Sequence, residues 1–223
     1  MNKILYAVYG ASGFGREVMP LIRDKFSNEP AAEFVFIDDG VQGEFVNGVK
    51  VCTFDDFLKI EADTKYVSLA IANSKTRELL FEKLEKNGVK HLSIIAKNSV
   101  VLDAVEAGGN LILTPFTTIT SNIKIGKAFH ANIYSYVAHD CVIGDFVTFA
   151  PGVRCNGNVH IQDHAYIGTG AIIKQGKPNK PLVIGEGAVV AAGAVVTKNV
   201  PAGVTVFGNP AIPLTKENMR KMR

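Results

Sequence analysis

Two stretches of this 223-residue chain hold residues whose types and spacing suit chemistry. In the first, Gly10-Ala-Ser-Gly-Phe-Gly15 follows the β-rich run Lys3–Tyr9, and Asp38-Asp39 follow the apolar run Phe34–Ile37. A glycine-rich turn from strand to helix aims backbone N–H groups at an anion such as a pyrophosphate. An acidic side chain on the following strand, here Asp38, can accept hydrogen bonds from a ribose or a base. The spacing of Gly10, Gly13 and Gly15 is not GxGxxG, so a nicotinamide cofactor is not indicated; a plain turn with two solvated carboxylates is the competing reading. In the second stretch His139 stands beside Asp140. An imidazole with a free pKa of about 6.5 accepts a proton from an attacking nucleophile near neutral pH, and a neighbouring carboxylate stabilises the imidazolium. The residues alone leave a solvated loop histidine equally open.

The other histidines carry less. His91 begins a strand-like run, and His130 ends a repeat and faces solvent on this reading. His160 and His164 fall at different repeat positions, so they do not converge as a shared metal site requires. No metal is expected. Cys52, Cys141 and Cys155 are odd in number and without a CxxC pair, which disfavours a disulfide framework and suits a reducing compartment. A formal charge of +3 is too mild for nucleic acid, no apolar run is long enough for a membrane span, and no leader-like segment is read at the start. A cytoplasmic protein without nucleic-acid or membrane partners is expected.

These residues need elements to hold them, and the pattern of elements changes near residue 97. Before it, strand-like and helix-like runs alternate: strands at Lys3–Tyr9, Phe34–Ile37, Tyr66–Ile71 and His91–Ile95, and helices from Arg16 to Phe26, from Thr53 as cap to Lys59, and from Ser74 as cap to Asn87-Gly88. That is a βαβαβ, Rossmann-like α/β domain over residues 1–97. From Ile119 to Ile173 every sixth residue is apolar, and a second column four residues on runs Ile123, Phe129, Ser135, Cys141, Val147, Val153, Val159, Ala165, Ala171. The frame extends weakly back through Leu113, Ala107 and Val101. It slips at a loop over Lys174–Val183, then resumes at Ile184, Val190, Val196 and Ala202. Neither a helix nor a lone strand has a period of six; short strands joined by corners in a solenoid do. Gly126, Gly144 and Gly168 fall where a corner is expected.

Val137-Ala-His-Asp-Cys-Val-Ile-Gly144, Cys155-Asn-Gly-Asn-Val-His-Ile161 and Gly208-Asn-Pro-Ala211 resemble the hexapeptide-repeat sugar acetyltransferases. With Tyr9–Gly15 and Ile37-Asp-Asp39, the resemblance narrows to enzymes that N-acetylate a UDP-4-amino-4,6-dideoxy sugar, as in bacillosamine biosynthesis, and to their sialic-acid O-acetyltransferase relatives. It implies a left-handed parallel β-helix over 98–223, a homotrimer with sites between subunits, and acetyl-CoA as donor. By family position, Ser12, Gly13, Phe14, Asp38, Asp39 and Ala72 contact the nucleotide sugar. His139 is the base, Asp140 its partner, and Asn132 a support. Thr148, Thr169 and Ala192 line the CoA groove. If a coil holds eighteen residues, Gly157 lies one coil beyond His139, leaving room for the thioester and an N–H to polarise its carbonyl. Lys177, Lys180 and Lys198 either meet the CoA phosphates or only water, and Lys216, Arg220, Lys221 and Arg223 read as a frayed basic tail. Cys141 and Cys155 sit in inward columns and are expected to be core, not nucleophiles. The alternatives are O-acetylation of a sialic acid or similar sugar, a metal-dependent hydratase, and a non-catalytic nucleotide-sugar-binding protein.

Overall fold

The computed structural model describes residues 3–40 and 43–221. The chain forms two compact units, Met1–Lys97 with Gly109–Ile112, and Asn98–Gly108 with Leu113–Arg223.

The first unit is a mostly parallel sheet with helices. Its elements are β1 (Ile4–Tyr9), α1 (Gly13–Lys25), β2 (Ala32–Ile37), β3 (Phe45–Val46), β4 (Val49–Cys52), α2 (Phe54–Lys59), β5 (Thr64–Leu69), α3 (Ser74–Lys86) and β6 (Lys90–His91). The strand order is β3-β4-β2-β1-β5-β6, so β1 is central and pairs in parallel with both β2 and β5. A strand covered on both faces must be apolar throughout, and Leu5 to Tyr9 are all buried. Helix α1 buries Val18, Met19 and Ile22, which recur at helical spacing, and leaves Pro20 outside.

Three local features differ from the sequence reading. Helix α1 starts at Gly13 rather than Arg16, because the glycine-rich segment itself makes the first turn, with the Arg16 N–H donating to the Ser12 carbonyl (3.0 Å). The cap of α3 is Asn73 rather than Ser74, its side-chain oxygen accepting from the Thr76 N–H at 2.9 Å. Strands β3 and β4 form an antiparallel hairpin through Asn47-Gly48, both with positive φ (48° and 74°). Asn-Gly between apolar runs is the strongest short hairpin signal.

The second unit is a left-handed parallel β-helix whose coils have three flat faces. Face one stacks Val100–Val101, Thr118–Ile119, Tyr136–Val137, Arg154–Cys155, Ile172–Ile173 and Val195–Val196. Face two stacks Val105–Ala107, Ile123–Ile125, Val142–Ile143, Val159–Ile161 and Leu182–Ile184. Face three includes His130–Ala131, Thr148–Phe149, Tyr166–Ile167, Val189–Val190 and Thr205–Phe207. Register confirms the eighteen-residue coil: Val137 pairs with Cys155, Ile143 with Ile161, and Phe149 with Ile167. Every sixth residue from Ile119 to Ile173 is buried, as is the whole second column. The backward extension keeps register, but Val101 and Ala107 are exposed. Ala202 is exposed too, because the last corner is shorter and Val200 takes the place opposite Ile184.

The corners correct a second expectation. Residues with left-handed φ recur every six positions, at Phe116, Asn122, Ala128, Tyr134, Asp140, Phe146, Gly152, Asn158, His164 and Gly170. Gly126, Gly144 and Gly168 are not among them. They are small because a Cβ would strike the next coil: the backbone of Gly144 for Gly126, the Asp163 N for Gly144 (2.7 Å), and the Ala192 N for Gly168 (2.6 Å). Close approach, not φ, fixes these glycines.

At the far end, Ile212–Pro213 turns back antiparallel on Thr205–Phe207. The basic tail is not frayed: Lys216–Lys221 is a short helix, with the Asn218 N–H donating to Thr215 Oγ1 (3.1 Å). Arg223 lies outside the described residues.

Candidate active site

In the first unit the expected substrate residues gather at the carboxyl end of the central strands. Ser12, Gly13 and Phe14 open α1 just beyond β1, Asp38 and Asp39 follow β2, and Ala72 follows β5. Here the chain leaves β1 toward β2 on one side and reaches β5 on the other, the switch point where open α/β sheets bind ligands. The turn is pressed in from both sides: Gly10 has φ 104°, a Cβ there would lie 2.9 Å from the Ala70 carbonyl oxygen, and a Cβ on Gly15 would strike the Gly10 carbonyl. Ser12 caps α1 through its backbone only, so its exposed hydroxyl is not spent on capping.

The two carboxylates build this end of the sheet. Asp38 accepts from the Ala11 N–H (2.8 Å) with one oxygen and from the Gly40 N–H (3.0 Å) with the other. Asp39 accepts from the Tyr9 hydroxyl (2.6 Å) and the Phe54 N–H (2.8 Å). Partial burial alone would raise the Asp39 carboxyl, but these two donors and the nearby Lys83 hold it below the usual carboxylate range. Burial and Asp39 together push the Tyr9 phenol far up, so it stays a donor. Sequence reasoning missed Arg77, which is fully buried on α3 and donates to the carbonyls of Ile71 (2.7 Å) and Ala72 (3.3 Å). Burial lowers its pKa to about 9. It pins the loop that carries Ala72, and nothing in sequence separates it from an ordinary surface arginine on a helix.

In the second unit His139, Asp140 and Gly157 come together at the corner between faces one and two. Asp140 takes the left-handed conformation (φ 59°), which a short polar side chain tolerates, and this turns its carboxylate back to the ring: Nδ1 lies 2.8 Å from Oδ2. An ionised carboxylate can only accept, so Nδ1 carries the proton and Nε2 presents a lone pair. The Asn158 N–H donates to the His139 carbonyl (3.0 Å), which locks the two coils in register. A Cβ on Gly157 would lie 2.5–3.0 Å from three atoms of the His139 ring. The space freed by the missing side chain therefore holds the imidazole itself rather than a thioester. Tyr136 and Asn156 flank this corner unforeseen, the tyrosine hydroxyl donating to the Asn156 Oδ1 at 3.0 Å.

The chain alone does not unite the remaining residues with His139. Asn132, Thr169 and Ala192 lie at a different corner, between faces three and one, where the Thr169 carbonyl accepts from the Gly193 N–H (2.8 Å) and the Asn132 amide donates to the Phe149 carbonyl (2.7 Å). Thr148 is at neither corner: it sits on a strand of face three, paired in register with His130, and is 6% exposed, so it offers a ligand little surface. His130 is buried rather than facing solvent. His160 lies on face two and His164 stacks on Phe146 (5.3 Å), and no group of three metal-binding side chains is found among the described residues. Cys141 and Cys155 are buried in the inward columns, and among the described residues no helix is long and apolar enough to cross a membrane.

Comparisons with known proteins bear on both units. Residues 6–84 match the family model described as the PglD N-terminal domain. The chain is 52% identical over 209 residues to GDP-perosamine N-acetyltransferase of Escherichia coli O157:H7, covering 93% of this chain and 95% of that protein. Among solved structures, WeeI from Acinetobacter baumannii AYE is 63% identical with a TM-score of 0.93, covering 95% and 100% of the two chains. The acetyltransferase domain of PglB from Neisseria gonorrhoeae FA1090, in complex with acetyl coenzyme A, is 30% identical with a TM-score of 0.84, covering 96% and 100%.

Proposed function

Since the chain belongs to the sugar N-acetyltransferases of the hexapeptide-repeat class, with a PglD-type N-terminal domain, we propose that it transfers acetyl from acetyl-CoA to the 4-amino group of a UDP-4-amino-4,6-dideoxy sugar. The observation that carries this reading is the His139–Asp140 pair packed over Gly157. The amine lone pair attacks the thioester carbonyl, and the new C–N bond leaves an ammonium whose proton passes to Nε2 of His139. Asp140 stabilises the imidazolium that results. The tetrahedral intermediate collapses by breaking its C–S bond, and the leaving thiolate takes the proton back, giving amide and free CoA thiol. The N–H of Gly157 is the candidate donor to the developing oxyanion. No acyl-enzyme is needed, which agrees with the burial of Cys141 and Cys155.

The sugar nucleotide is assigned to the carboxyl end of the sheet, formed by Ser12, Gly13, Phe14, Asp38, Asp39 and Ala72. The division of residues between two corners supports a homotrimer: Asn132, Thr169 and Ala192 serve the site only if their corner faces the His139 corner of a neighbouring copy. A second reading, with GDP in place of UDP, is favoured by the 52% identity to a GDP-perosamine N-acetyltransferase. The test is acetyl transfer from acetyl-CoA to a panel of UDP- and GDP-linked 4-amino sugars and to free sialic acid, read by thiol release and product mass. Turnover on the UDP sugar is expected; turnover on the GDP sugar alone selects the second reading, O-acetylation of sialic acid replaces the acceptor, and no thiol release with any acceptor leaves a binding protein.

A further inference from the structure

At the corner between faces three and one, the residues with left-handed φ read Phe116, Tyr134, Gly152, Gly170 and Gly193 along the rod (63°, 60°, 71°, 67° and 68°). They form one ladder. The Tyr134 N–H donates to the Pro115 carbonyl (3.3 Å), the Gly152 N–H to the Ile133 carbonyl (2.8 Å), and the Gly170 N–H to the Pro151 carbonyl (2.8 Å). Glycine takes this conformation freely, whereas a bulky side chain is strained in it. The ladder nevertheless begins with two aromatic residues. Phe116 and Tyr134 are 52% and 62% exposed, and their rings stack with centroids 4.9 Å apart and planes within 3° of parallel. Single apolar residues on a surface need no explanation, but two rings stacked at strained positions that glycine fills elsewhere on the same ladder point to a ligand.

The change from aromatic to glycine falls at the height of His139. Tyr134 and His139 lie on one coil, Phe116 one coil before it and Gly152 one coil after. Asn132 stands on the same corner, two residues from Tyr134. In a cyclic trimer whose rods run parallel to the symmetry axis, equal residues of all copies lie at equal height. A corner that brings Asn132 to the His139 of a neighbouring copy therefore brings two different walls with it. On the Gly157 side of His139 the wall is bare backbone at Gly152 and Gly170. On the other side it is the ring stack, which covers the height of one coil, about 4.8 Å. With the thioester over Gly157, the amine approaches from the opposite side, where the rings stand. A 6-deoxy sugar presents a face of C–H groups and a methyl, and an aromatic surface covers such a face while the hydroxyls stay at the rim.

We propose that the Phe116–Tyr134 stack is the platform on which the sugar ring of the acceptor lies, turning its 4-amino group toward Nε2 of His139 on a neighbouring copy. The assignment rests on the acetyl-transfer reading and on the facing corners of a homotrimer. It is tested with the Phe116→Asn/Tyr134→Asn double variant. Asparagine already stands at left-handed corner positions in Asn122 and Asn158, so the bend is kept. With the sugar nucleotide that the wild type turns over, KM for that substrate is expected to rise about tenfold or more. KM for acetyl-CoA, the calorimetric affinity for the matching free UDP or GDP, the melting temperature and the trimer mass in sedimentation should all stay unchanged. An unchanged KM for the sugar nucleotide overturns the proposal. So does a raised KM for acetyl-CoA, which puts the rings on the donor, weaker binding of the free UDP or GDP, which puts them on the nucleotide, or loss of the trimer, which shows that they cover a neighbouring copy. A wild type that turns over as a monomer keeps the acetyl-transfer reading and overturns the platform alone; a wild type that acetylates no sugar nucleotide sinks both.

Discussion

The imidazole of His139 occupies the space that a side chain on Gly157 would fill, one coil further along the rod. One residue therefore supplies the ring and the other the floor beneath it, and only the eighteen-residue coil brings them together. Gly157→Ala is expected to push the ring off Asp140 while the protein stays folded. A misplacement on the scale of 1 Å costs roughly 10²-fold in rate, so kcat should fall by about that factor with little change in melting temperature. Steady-state kinetics beside a thermal melt check it; unchanged kcat would mean that the ring position is irrelevant to turnover.

His139→Ala removes the proposed base. A positioned general base contributes at least about 10²-fold, and a half-exposed side chain contributes little to stability. The expected result is a loss of kcat of that size in a protein with an unaltered melt. Near-normal turnover would eliminate His139 as the base.

Ile143→Asp tests the interior column. The residue is 2% exposed, and an unpaired carboxylate there has no donor to offset its desolvation, so the variant should lose upwards of roughly 3 kcal/mol. Denaturant melts measure this, and an unchanged midpoint would mean that the column tolerates charge.

Asp38→Ala frees the N–H groups of Ala11 and Gly40, and with them the turn that opens α1. A charge-assisted hydrogen bond from the ribose or base to this carboxylate is worth about 1.5–3 kcal/mol, so its loss should weaken binding of the sugar nucleotide roughly ten- to hundredfold. Acetyl-CoA affinity should be unaltered. Calorimetry of each ligand separates the two, and loss of CoA binding with intact nucleotide binding would reverse the assignment of the units.

Asp39 is held below the usual carboxylate range in the folded protein, so its stabilisation is fully present above the unfolded pKa of about 3.9 and is lost as pH falls through the lower folded value. Wild type should therefore exceed Asp39→Asn in stability at neutral pH, with the gap closing below about pH 4. Melts of both proteins from pH 7 to pH 3 follow it; a gap independent of pH would show that charge on Asp39 is not the source.

Much of this was legible in sequence because burial leaves a mark on composition. A column that faces inward must be apolar, so Ile119 to Ile173 announced the coil and its length, and the coil length in turn placed Gly157 over His139. The corners left no such mark. Phe116, Tyr134, Phe146 and His164 adopt left-handed φ although their side chains disfavour it, because the hydrogen bonds of successive coils impose the bend whatever residue stands there. Glycine at Gly126, Gly144 and Gly168 pointed to a bend but answered to crowding. The roles of Asp38, Asp39 and Arg77 were hidden for another reason: a carboxylate that holds a backbone turn and one that awaits a ligand read identically in sequence.

The reversed strand Ile212–Pro213 has a consequence for crowded solutions. A stack of parallel strands ends in a row of unpaired backbone groups that another stack can join, and repeated joining makes fibres. On the third face that row is closed by two residues running the wrong way, one of them a proline with no N–H to offer. On that face, growth from the end is opposed by backbone chemistry rather than by charge. Removal of the segment from Ile212 onward should leave a rod that adds to itself end to end as concentration rises.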